Sequence, residues 1–285
     1  MNEIIEQNLS LFKCPVCKGG NLHIHSPAAV SCSACGHKYP VHEENILDLL
    51  PPSPTSKPAH YQHPLEKSFF DFYYSRFYED PKKDNERYAW GAPESITPVH
   101  LEQKKKLVAQ ILSAAPSKDK IVCDVTGGAG WLSLPSAKEA KLVINADFEM
   151  RNLRYVMRKA KEEKIKNMLF VRADMFASPF PEKSMDIIFC TDTLIYGDYQ
   201  VRHFLTGITE SISAGGSAIV TFHNKRHRLP FRKPYVIGYS LGEIRSILSE
   251  IASARFSFES FYQEPVRWVE AFIPPTLYIA RISGK

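Results

Sequence analysis

The sequence predicts an α/β fold with a mostly parallel, Rossmann-like sheet and a small cysteine-rich module before it. Three observations lead to this prediction. Two CxxC pairs lie within the first 35 residues, a glycine-rich turn follows an apolar run near residue 125, and short apolar runs alternate with helical patterns from residue 120 onward. Repeated strand–helix units of this kind build a parallel sheet whose faces are covered by helices.

The length and composition fit one sizeable domain plus a small module. The chain has 285 residues, of which 44% are hydrophobic and 24% charged, and its formal net charge is +5. That charge suits an anionic substrate, RNA or simply a basic surface. No apolar run approaches the roughly 18–20 residues of a membrane span, and the first residues do not resemble a signal peptide, so we expect a cytoplasmic protein.

Residues 1–52 are predicted to form a zinc ribbon. Fourteen residues separate the two CxxC pairs, which is close to the spacing of structural zinc sites. Four thiolates suit tetrahedral Zn²⁺ and leave no position open for catalysis, so we expect a structural metal. A lost metal site or a redox-active pair is the alternative. The predicted ligands are Cys14, Cys17, Cys32 and Cys35.

Residues 53–98 are predicted to connect the ribbon to the larger domain. The stretch 51–64 is rich in proline and polar residues, which is typical of a linker. The aromatic run 68–80 that follows predicts either a lid over a pocket or a helix packed on the sheet. The larger domain would then occupy residues 99–285.

The elements of the larger domain follow from apolar periodicity. A helix over 99–114 comes first. Strands are expected over 120–125, 141–146, 167–173, 185–190 and 217–222, and helices over 149–164, 201–213 and 241–251. A further helix of about one dozen residues is expected between the first two strands. The final strands, 254–262 and 276–282, have no helix between them and predict a hairpin with one antiparallel strand at the end of the sheet.

A candidate nucleotide site lies where the first strand ends. The turn from Asp124 to Gly130 contains three glycines, which let the backbone approach a ligand closely, and the N–H groups of the following helix face the same place. Asp147 lies 23 residues after Asp124 at the end of the second strand, where a carboxylate accepts hydrogen bonds from ribose hydroxyls. A nicotinamide-dependent enzyme would share both features, and Asp147 would equally suit the N-cap of the next helix.

The segment VRADMFASPFPEKSMDIIFC, residues 171–190, separates these alternatives. It resembles the part of class I S-adenosylmethionine-dependent methyltransferases in which an acid follows the third strand and an apolar run forms the fourth. The glycine-rich turn resembles that of the ubiquinone and menaquinone C-methyltransferases. Here Thr126 stands in the first glycine position, where its side chain would crowd the methionine part of the cofactor. The resemblance covers about residues 100–285 and implies a seven-stranded sheet.

The same resemblance implies S-adenosylmethionine as the cofactor and assigns its contacts. Asp174 would bond the adenine amino group, and Met175 and Phe176 would flank the ring. Cys190 ends the fourth strand, where a core position is the other interpretation. The implied cofactor-binding residues are Asp124, Thr126, Gly127, Gly128, Gly130, Asp147, Phe148, Asp174, Met175 and Cys190.

Residues 10–52 carry a second resemblance. They are similar to a zinc-ribbon family whose stand-alone members are small activator subunits of tRNA and protein methyltransferases, with Tyr-Pro-Val after the second CxxC and an apolar ending. Their layout also resembles the N-terminal ribbon of bacterial large-subunit rRNA guanine-N1 methyltransferases. This implies a module that helps to hold or recognise a substrate, or that braces the catalytic domain.

The acceptor is expected at the carboxyl ends of the fourth and fifth strands. Asp192, Tyr196 and His223 are the candidate catalytic bases there, with His203 as a further candidate. The basic loop 223–233 suits an anionic acceptor or an RNA backbone, although a solvated loop has the same composition. We therefore expect methyl transfer to a small-molecule or lipid-like acceptor. An RNA methyltransferase and a non-catalytic scaffold that binds a protein through its ribbon are the alternatives.

Overall fold

The computed structural model describes residues 3–42, 45–52, 91–194, 198–226, 238–251, 255–262 and 275–284. The aromatic run 68–80, Tyr196 and the basic loop beyond residue 226 lie outside the described residues, so the predictions made for them stay predictions. The described chain forms two sheets, one of three strands and one of eight.

The N-terminal module, residues 3–52, is a short helix followed by a three-stranded antiparallel sheet. Helix α1 (Glu3–Gln7) and a 3-10 turn (Leu9–Leu11) lead into strands β1 (Leu22–Ser26), β2 (Ala29–Cys32) and β3 (Lys38–Pro40). The central strand β2 pairs with both neighbours. Val30 and Tyr39 are partners in the register and are fully buried, which gives this small sheet one apolar face.

The larger sheet takes one strand from the N-terminal module and seven from residues 121–283. These are β4 (Ile46–Asp48), β5 (Ile121–Val125), β6 (Leu142–Asp147), β7 (Met168–Arg172), β8 (Met185–Leu194), β9 (Ile212–His223), β10 (Arg255–Phe261) and β11 (Leu277–Ser283). Their order is β10-β11-β9-β8-β5-β6-β7-β4. Strands β4 to β9 run parallel, and β11 is antiparallel to both neighbours. The predicted α/β, Rossmann-like class is confirmed.

Two details of this sheet differ from the prediction. The seven expected strands are present, but β4 adds an eighth at the edge, parallel to β7. The antiparallel strand β11 lies between β9 and β10 rather than at the edge. It takes this place because the chain folds back after β10 and pairs β11 along β9 from Leu277 to Ser283.

The helices of the larger domain are α2 (Pro98–Ala114), α3 (Ser133–Ser136), α4 (Met150–Glu162), α5 (Asp198–Ser211) and α6 (Leu241–Ile251). The helix expected to have about one dozen residues between β5 and β6 has only four. The turn itself uses residues 126–130, with three positive φ angles, so a shorter stretch of chain remains for a helix before β6. Among the described residues, no helix is long and apolar enough to cross a membrane.

One apolar cluster joins the N-terminal module to the larger sheet. It includes Phe12 and Tyr39 from the module together with Val171 and Phe222 from β7 and β9, and all four side chains are buried. A second cluster contains residues of α2 and α4 with strand residues such as Val143. The core is therefore continuous across the predicted boundary at residue 52.

Candidate functional site

The glycine-rich turn is fixed to the end of the neighbouring strand. The N–H groups of Thr126 and Gly127 donate to the carbonyl oxygen of Ala146 at 2.7 and 2.9 Å. A Cβ on Gly127 would lie 2.1 Å from Nδ2 of Asn145, so only glycine fits there. Thr126 and Gly128 have φ angles of +71° and +50°. Glycine adopts such angles freely, whereas a β-branched residue is strained by them.

The strained threonine also links two strand ends. Its hydroxyl is hydrogen-bonded to the hydroxyl of Thr193, so the ends of β5 and β8 are joined beside the turn. Asp192, the residue before Thr193, has a positive φ of +59° as well. Two strained non-glycine residues therefore lie at the carboxyl ends of adjacent strands, where ligands of open α/β sheets bind.

Asp147 joins the turn to the start of helix α4. Its Oδ2 accepts a hydrogen bond from the N–H of Gly128 at 2.8 Å. Its Oδ1 accepts from the N–H of Glu149 at 2.8 Å and from the side-chain amide of Asn152 at 3.1 Å. Glu149 is the N-cap residue of α4, so Asp147 binds the helix start without being its N-cap. Asp147 also lines the cavity described below.

Asp124 is a buried carboxylate at the end of β5. It is 3% exposed, and its Oδ2 accepts hydrogen bonds from the hydroxyl and, at 3.1 Å, the N–H of Ser133. Burial raises the pKa of Asp124 to about 6 in spite of these bonds because an apolar environment disfavours the charged form. Asp124 therefore holds the first turn of α3 against β5.

Asp174 shapes the segment that follows β7. Its Oδ1 accepts the N–H of Phe176 at 2.9 Å and so begins a 3-10 turn over Met175–Ala177. Met175 and Phe176 line the same cavity as Asp147. His203, from α5, lies behind this turn and is hydrogen-bonded to the carbonyl oxygen of Phe176 at 3.1 Å, which makes it a supporting residue in this structure.

One cavity of about 610 Å³ collects eight of the ten predicted cofactor residues. The two that do not line it are Gly130 and Cys190. Gly130 has a φ of +76°, and a Cβ there would lie 2.9 Å from the side chain of Val156, so this glycine serves the turn. Cys190 is fully buried in the apolar core, which agrees with the other interpretation of its strand position.

The ends of β8 and β9 bring Asp192 and His223 to the same cavity. The N–H of Asp192 donates to Oγ1 of Thr221 at 2.9 Å, and its carboxylate forms an ion pair with Nζ of Lys104. Partial removal from water in the cavity wall opposes ionisation of Asp192, but the ion pair with Lys104 outweighs it and lowers the pKa of the carboxyl. Asp192 is therefore an ion-paired carboxylate and a weak base.

Sequence reasoning missed the contribution of helix α2. His100, Gln103 and Lys104 are spaced i, i+3, i+4 on one helical face, and all three line the cavity, as do Leu107 and Trp131. The sequence does contain this pattern, since the three polar residues continue the apolar stripe that includes Leu107 along the same face of the helix. The run of lysines in the same segment has the composition of a solvent-exposed surface, and it obscured this face.

The four predicted zinc ligands converge in the N-terminal module. Their Sγ atoms all lie within 4.8 Å of one another, at 3.7 Å between Cys14 and Cys35 and 3.6 Å between Cys17 and Cys32. A tetrahedron with Zn–S bonds of about 2.3 Å has edges of about 3.8 Å, so this arrangement fits Zn²⁺. A disulfide, with sulfur atoms about 2.0 Å apart, does not fit these distances.

The turns around the cysteines are tight and bring the backbone close to the thiols. The N–H of Lys18 donates to the Cys14 carbonyl oxygen at 2.9 Å, and that of Gly36 donates to Cys32 at 3.0 Å. Lys18 and Gly36 both have positive φ angles. A Cβ on Gly20 would lie only 2.1 Å from Sγ of Cys32, so a side chain there would displace the thiol.

Comparison with known proteins gives the domain and the fold. Residues 122–216 match the family model of a methyltransferase domain. No curated protein sequence matches the chain significantly. Among solved structures, magnesium protoporphyrin IX methyltransferase of Synechocystis PCC 6803 with bound S-adenosylmethionine is 19% identical with a TM-score of 0.51, over 78% of this chain and 93% of that one.

Two further structures share the fold. Phosphoethanolamine N-methyltransferase 1 of Haemonchus contortus, in complex with phosphoethanolamine and S-adenosylhomocysteine, is 16% identical with a TM-score of 0.56, over 77% of this chain and 49% of that one. An S-adenosylmethionine-dependent methyltransferase from Aquifex aeolicus is 18% identical with a TM-score of 0.50, over 72% and 97%. The family match covers the glycine-rich turn and Asp147. Residues 122–216 thus match a methyltransferase domain, and the described fold is shared with these methyltransferase structures.

Proposed function

We propose that this protein transfers a methyl group from S-adenosylmethionine to a small-molecule acceptor held in the same cavity. One observation carries the proposal: the residues of the turn and Asp147 share a single cavity with the acceptor wall, which consists of His100, Gln103, Lys104, Asp192 and His223. The cavity volume of about 610 Å³ falls within the range of about 300–1,000 Å³ for small-molecule sites.

The residues around the turn fit a bound nucleoside. The carboxylate of Asp147 is held by the turn and by α4 at the cavity wall, where it would accept hydrogen bonds from ribose hydroxyls. Asp174, Met175 and Phe176 would surround the adenine. S-adenosylmethionine, when bound, supplies a methyl group on a sulfonium, from which the neutral thioether S-adenosylhomocysteine leaves readily. The chain then has mainly to align the acceptor, and orientation alone contributes several kcal/mol.

The acceptor wall favours an acceptor that carries a negative charge. The ammonium of Lys104 has three N–H donors, so it can bind Asp192 and an anionic acceptor together. Because Asp192 is ion-paired and its pKa is lowered, we assign it to positioning Lys104 rather than to proton removal. His223 is then the candidate base among the described residues, for an acceptor that must lose a proton.

We also propose that the four cysteines hold a structural Zn²⁺. Four protein ligands leave no open position on the metal, so the ion would cross-link the module without taking part in the reaction. Close thiols that are not joined as disulfides suit a reducing compartment such as the cytoplasm.

The first test is the binding of S-adenosylmethionine and S-adenosylhomocysteine, measured by isothermal titration calorimetry. Loss of a charged hydrogen-bond acceptor costs about 1.5–3 kcal/mol, so Asp147→Ala should weaken binding by about 10- to 100-fold. Glu250→Gln is the matched control, because Glu250 is exposed and paired only with surface residues of α5 and α6 in the described chain. A folded, zinc-loaded wild type that binds neither compound would contradict the proposal and favour the scaffold alternative.

A screen of acceptors then decides the substrate class. We expect methyl transfer from radiolabelled S-adenosylmethionine to metabolites that carry a carboxylate or phosphate, with little dependence on salt. Lys104→Met should raise KM for such an acceptor and leave the cofactor affinity within about twofold. Transfer to rRNA fragments that falls steeply with salt would instead support the RNA methyltransferase alternative.

A further inference from the structure

Strand β4, which follows the three-stranded sheet of the N-terminal module, forms one edge of the larger sheet. β4 pairs in parallel with β7, and the register places Asp48 opposite Arg172. The N–H of Leu49 donates to the carbonyl oxygen of Arg172 at 2.8 Å. Asp48 and Arg172 are 8% and 4% exposed. Their side chains therefore interact away from bulk water, where removing one partner of a charge pair is costly.

Arg172 uses two N–H groups at once. Its Nη1 donates to Oδ2 of Asp48 at 3.1 Å, and its Nε donates to the carbonyl oxygen of Phe148 at 3.1 Å. Asp48 is in turn hydrogen-bonded to Nε2 of His42 at 3.1 Å and accepts the N–H of Leu50 at 3.1 Å. The planar guanidinium thus ties the N-terminal module to the loop after β6, which the single ammonium of a lysine cannot do in the same geometry.

The predicted ribose-binding carboxylate, Asp147, is the last residue of β6 and precedes that loop directly. The carbonyl of Phe148 and the N–H of Glu149 belong to one planar peptide group. The oxygen of this group accepts from Arg172, and its N–H donates to Oδ1 of Asp147 at 2.8 Å. The other carboxylate oxygen of Asp147 accepts from Gly128 in the turn. A continuous series of hydrogen bonds therefore runs from the N-terminal module to the glycine-rich turn.

A second contact joins the module to the cavity wall. The N–H of Lys13, next to the ligand Cys14, donates to the carbonyl oxygen of Pro179 at 2.7 Å. The rings of Phe12 and Phe180 lie with centroids 6.0 Å apart. Pro179 and Phe180 both line the cavity, so the module supports the cavity at two separate places.

We infer that Arg172 is a positioning residue of the cofactor site, and that the folded N-terminal module acts through it to hold Asp147 in its binding orientation. The inference rests on the proposed function, since it requires that the cavity binds S-adenosylmethionine. Its consequence is thermodynamic coupling between the two binding sites. The factor by which bound metal raises the affinity for the cofactor equals the factor by which bound cofactor raises the affinity for the metal.

Two measurements on the zinc-loaded full chain test this inference. Titration calorimetry gives the Kd of S-adenosylhomocysteine for wild type, Asp48→Asn and Arg172→Lys, and each variant should bind about 5- to 50-fold more weakly, within the usual range of coupling between sites. Competition with a chelating dye gives the zinc affinity. Saturating S-adenosylhomocysteine should raise it by a similar factor in wild type and change it little in the variants.

Ile247→Ala is the control for lost stability. Ile247 is 1% exposed in α6 and does not line the cavity, so this variant should lower Tm without changing the Kd or the coupling. If Asp48→Asn fails to fold, Arg172→Lys, which keeps the charge, decides the question. Unchanged affinity in the folded variants, beside a wild type that binds, would overturn this inference alone. A wild type that does not bind S-adenosylhomocysteine would overturn the proposed function and this inference with it.

Discussion

At Asp124, burial and hydrogen bonding act in opposite directions on one carboxyl group. Its bonds to Ser133 favour the charged form, yet burial has the larger effect and raises its pKa to about 6. An aspartate in an unfolded chain titrates near 3.9. Between these two values the folded chain holds a proton that the unfolded chain has lost, so this contribution to stability is lost as the pH rises through about 6.

Asp124→Asn should remove this pH dependence. Asparagine keeps a carbonyl oxygen that can accept from Ser133, but it does not ionise. Between about pH 5 and about pH 7.5, the free energy of unfolding of wild type should fall by about 1 kcal/mol relative to that of the variant. Chemical denaturation of the cofactor-free protein at several pH values measures the difference. A difference that stays constant over this range would mean that Asp124 titrates as an ordinary aspartate.

The sequence located the residues whose place depends on a local pattern, and it missed partners that meet through the fold. Asp147 and Gly127 follow from the order of strand, turn and helix. The ion pair between Asp192 and Lys104 joins residues 88 positions apart, and it depends on how α2 packs at the strand ends, which no local pattern encodes. For the same reason Asp192 was predicted as a base, while the structure shows a carboxylate that is already paired.

At the scale of elements, the turn that follows Cys17 requires a residue without a side chain at position 20. A Cβ on Gly20 would lie 2.1 Å from Sγ of Cys32, so Gly20→Ala should displace this proposed zinc ligand and reduce the zinc content of the purified protein. Gly19→Ala is the matched control, since its Cβ would meet nothing nearer than the Cys17 carbonyl oxygen at 3.8 Å. Zinc stoichiometry by mass spectrometry separates the two variants. Equal, full zinc loading of both would contradict the steric argument.

Elements with a clear apolar pattern were predicted, whereas the three-residue strand β4 was not. Helix α4 begins and ends within two residues of its predicted bounds, because its apolar residues recur at helical spacing. Strand β4 has three residues, too few for any periodicity. What makes it a strand is its pairing with β7, and its residue Asp48 lies 124 positions before its partner Arg172. Such a strand can be recognised only once the sheet is known.

At the scale of the whole molecule, the N-terminal module and the larger domain share one hydrophobic core. The proline-rich stretch after residue 50 predicts a linker, which would suit a module that moves freely. In the structure, strand pairing, the Asp48–Arg172 ion pair and a shared apolar cluster hold the module to the sheet instead. The sequence could not reveal this arrangement, because each of these contacts joins segments that lie far apart along the chain.

This packing predicts that the module and the catalytic domain unfold together. Zinc release reports on the module. Tryptophan fluorescence reports on the rest of the chain, because residues 1–52 contain no tryptophan and Trp131 follows the glycine-rich turn. The two thermal profiles should coincide. Leu47, in β4, is 1% exposed. Leu47→Ala should lower the free energy of unfolding by about 2–5 kcal/mol and shift both profiles to lower temperature by the same amount. Ile24→Ala, at a site 46% exposed, should shift neither. Zinc release at a lower temperature than the fluorescence change would mean that β4 leaves the sheet before the catalytic domain unfolds.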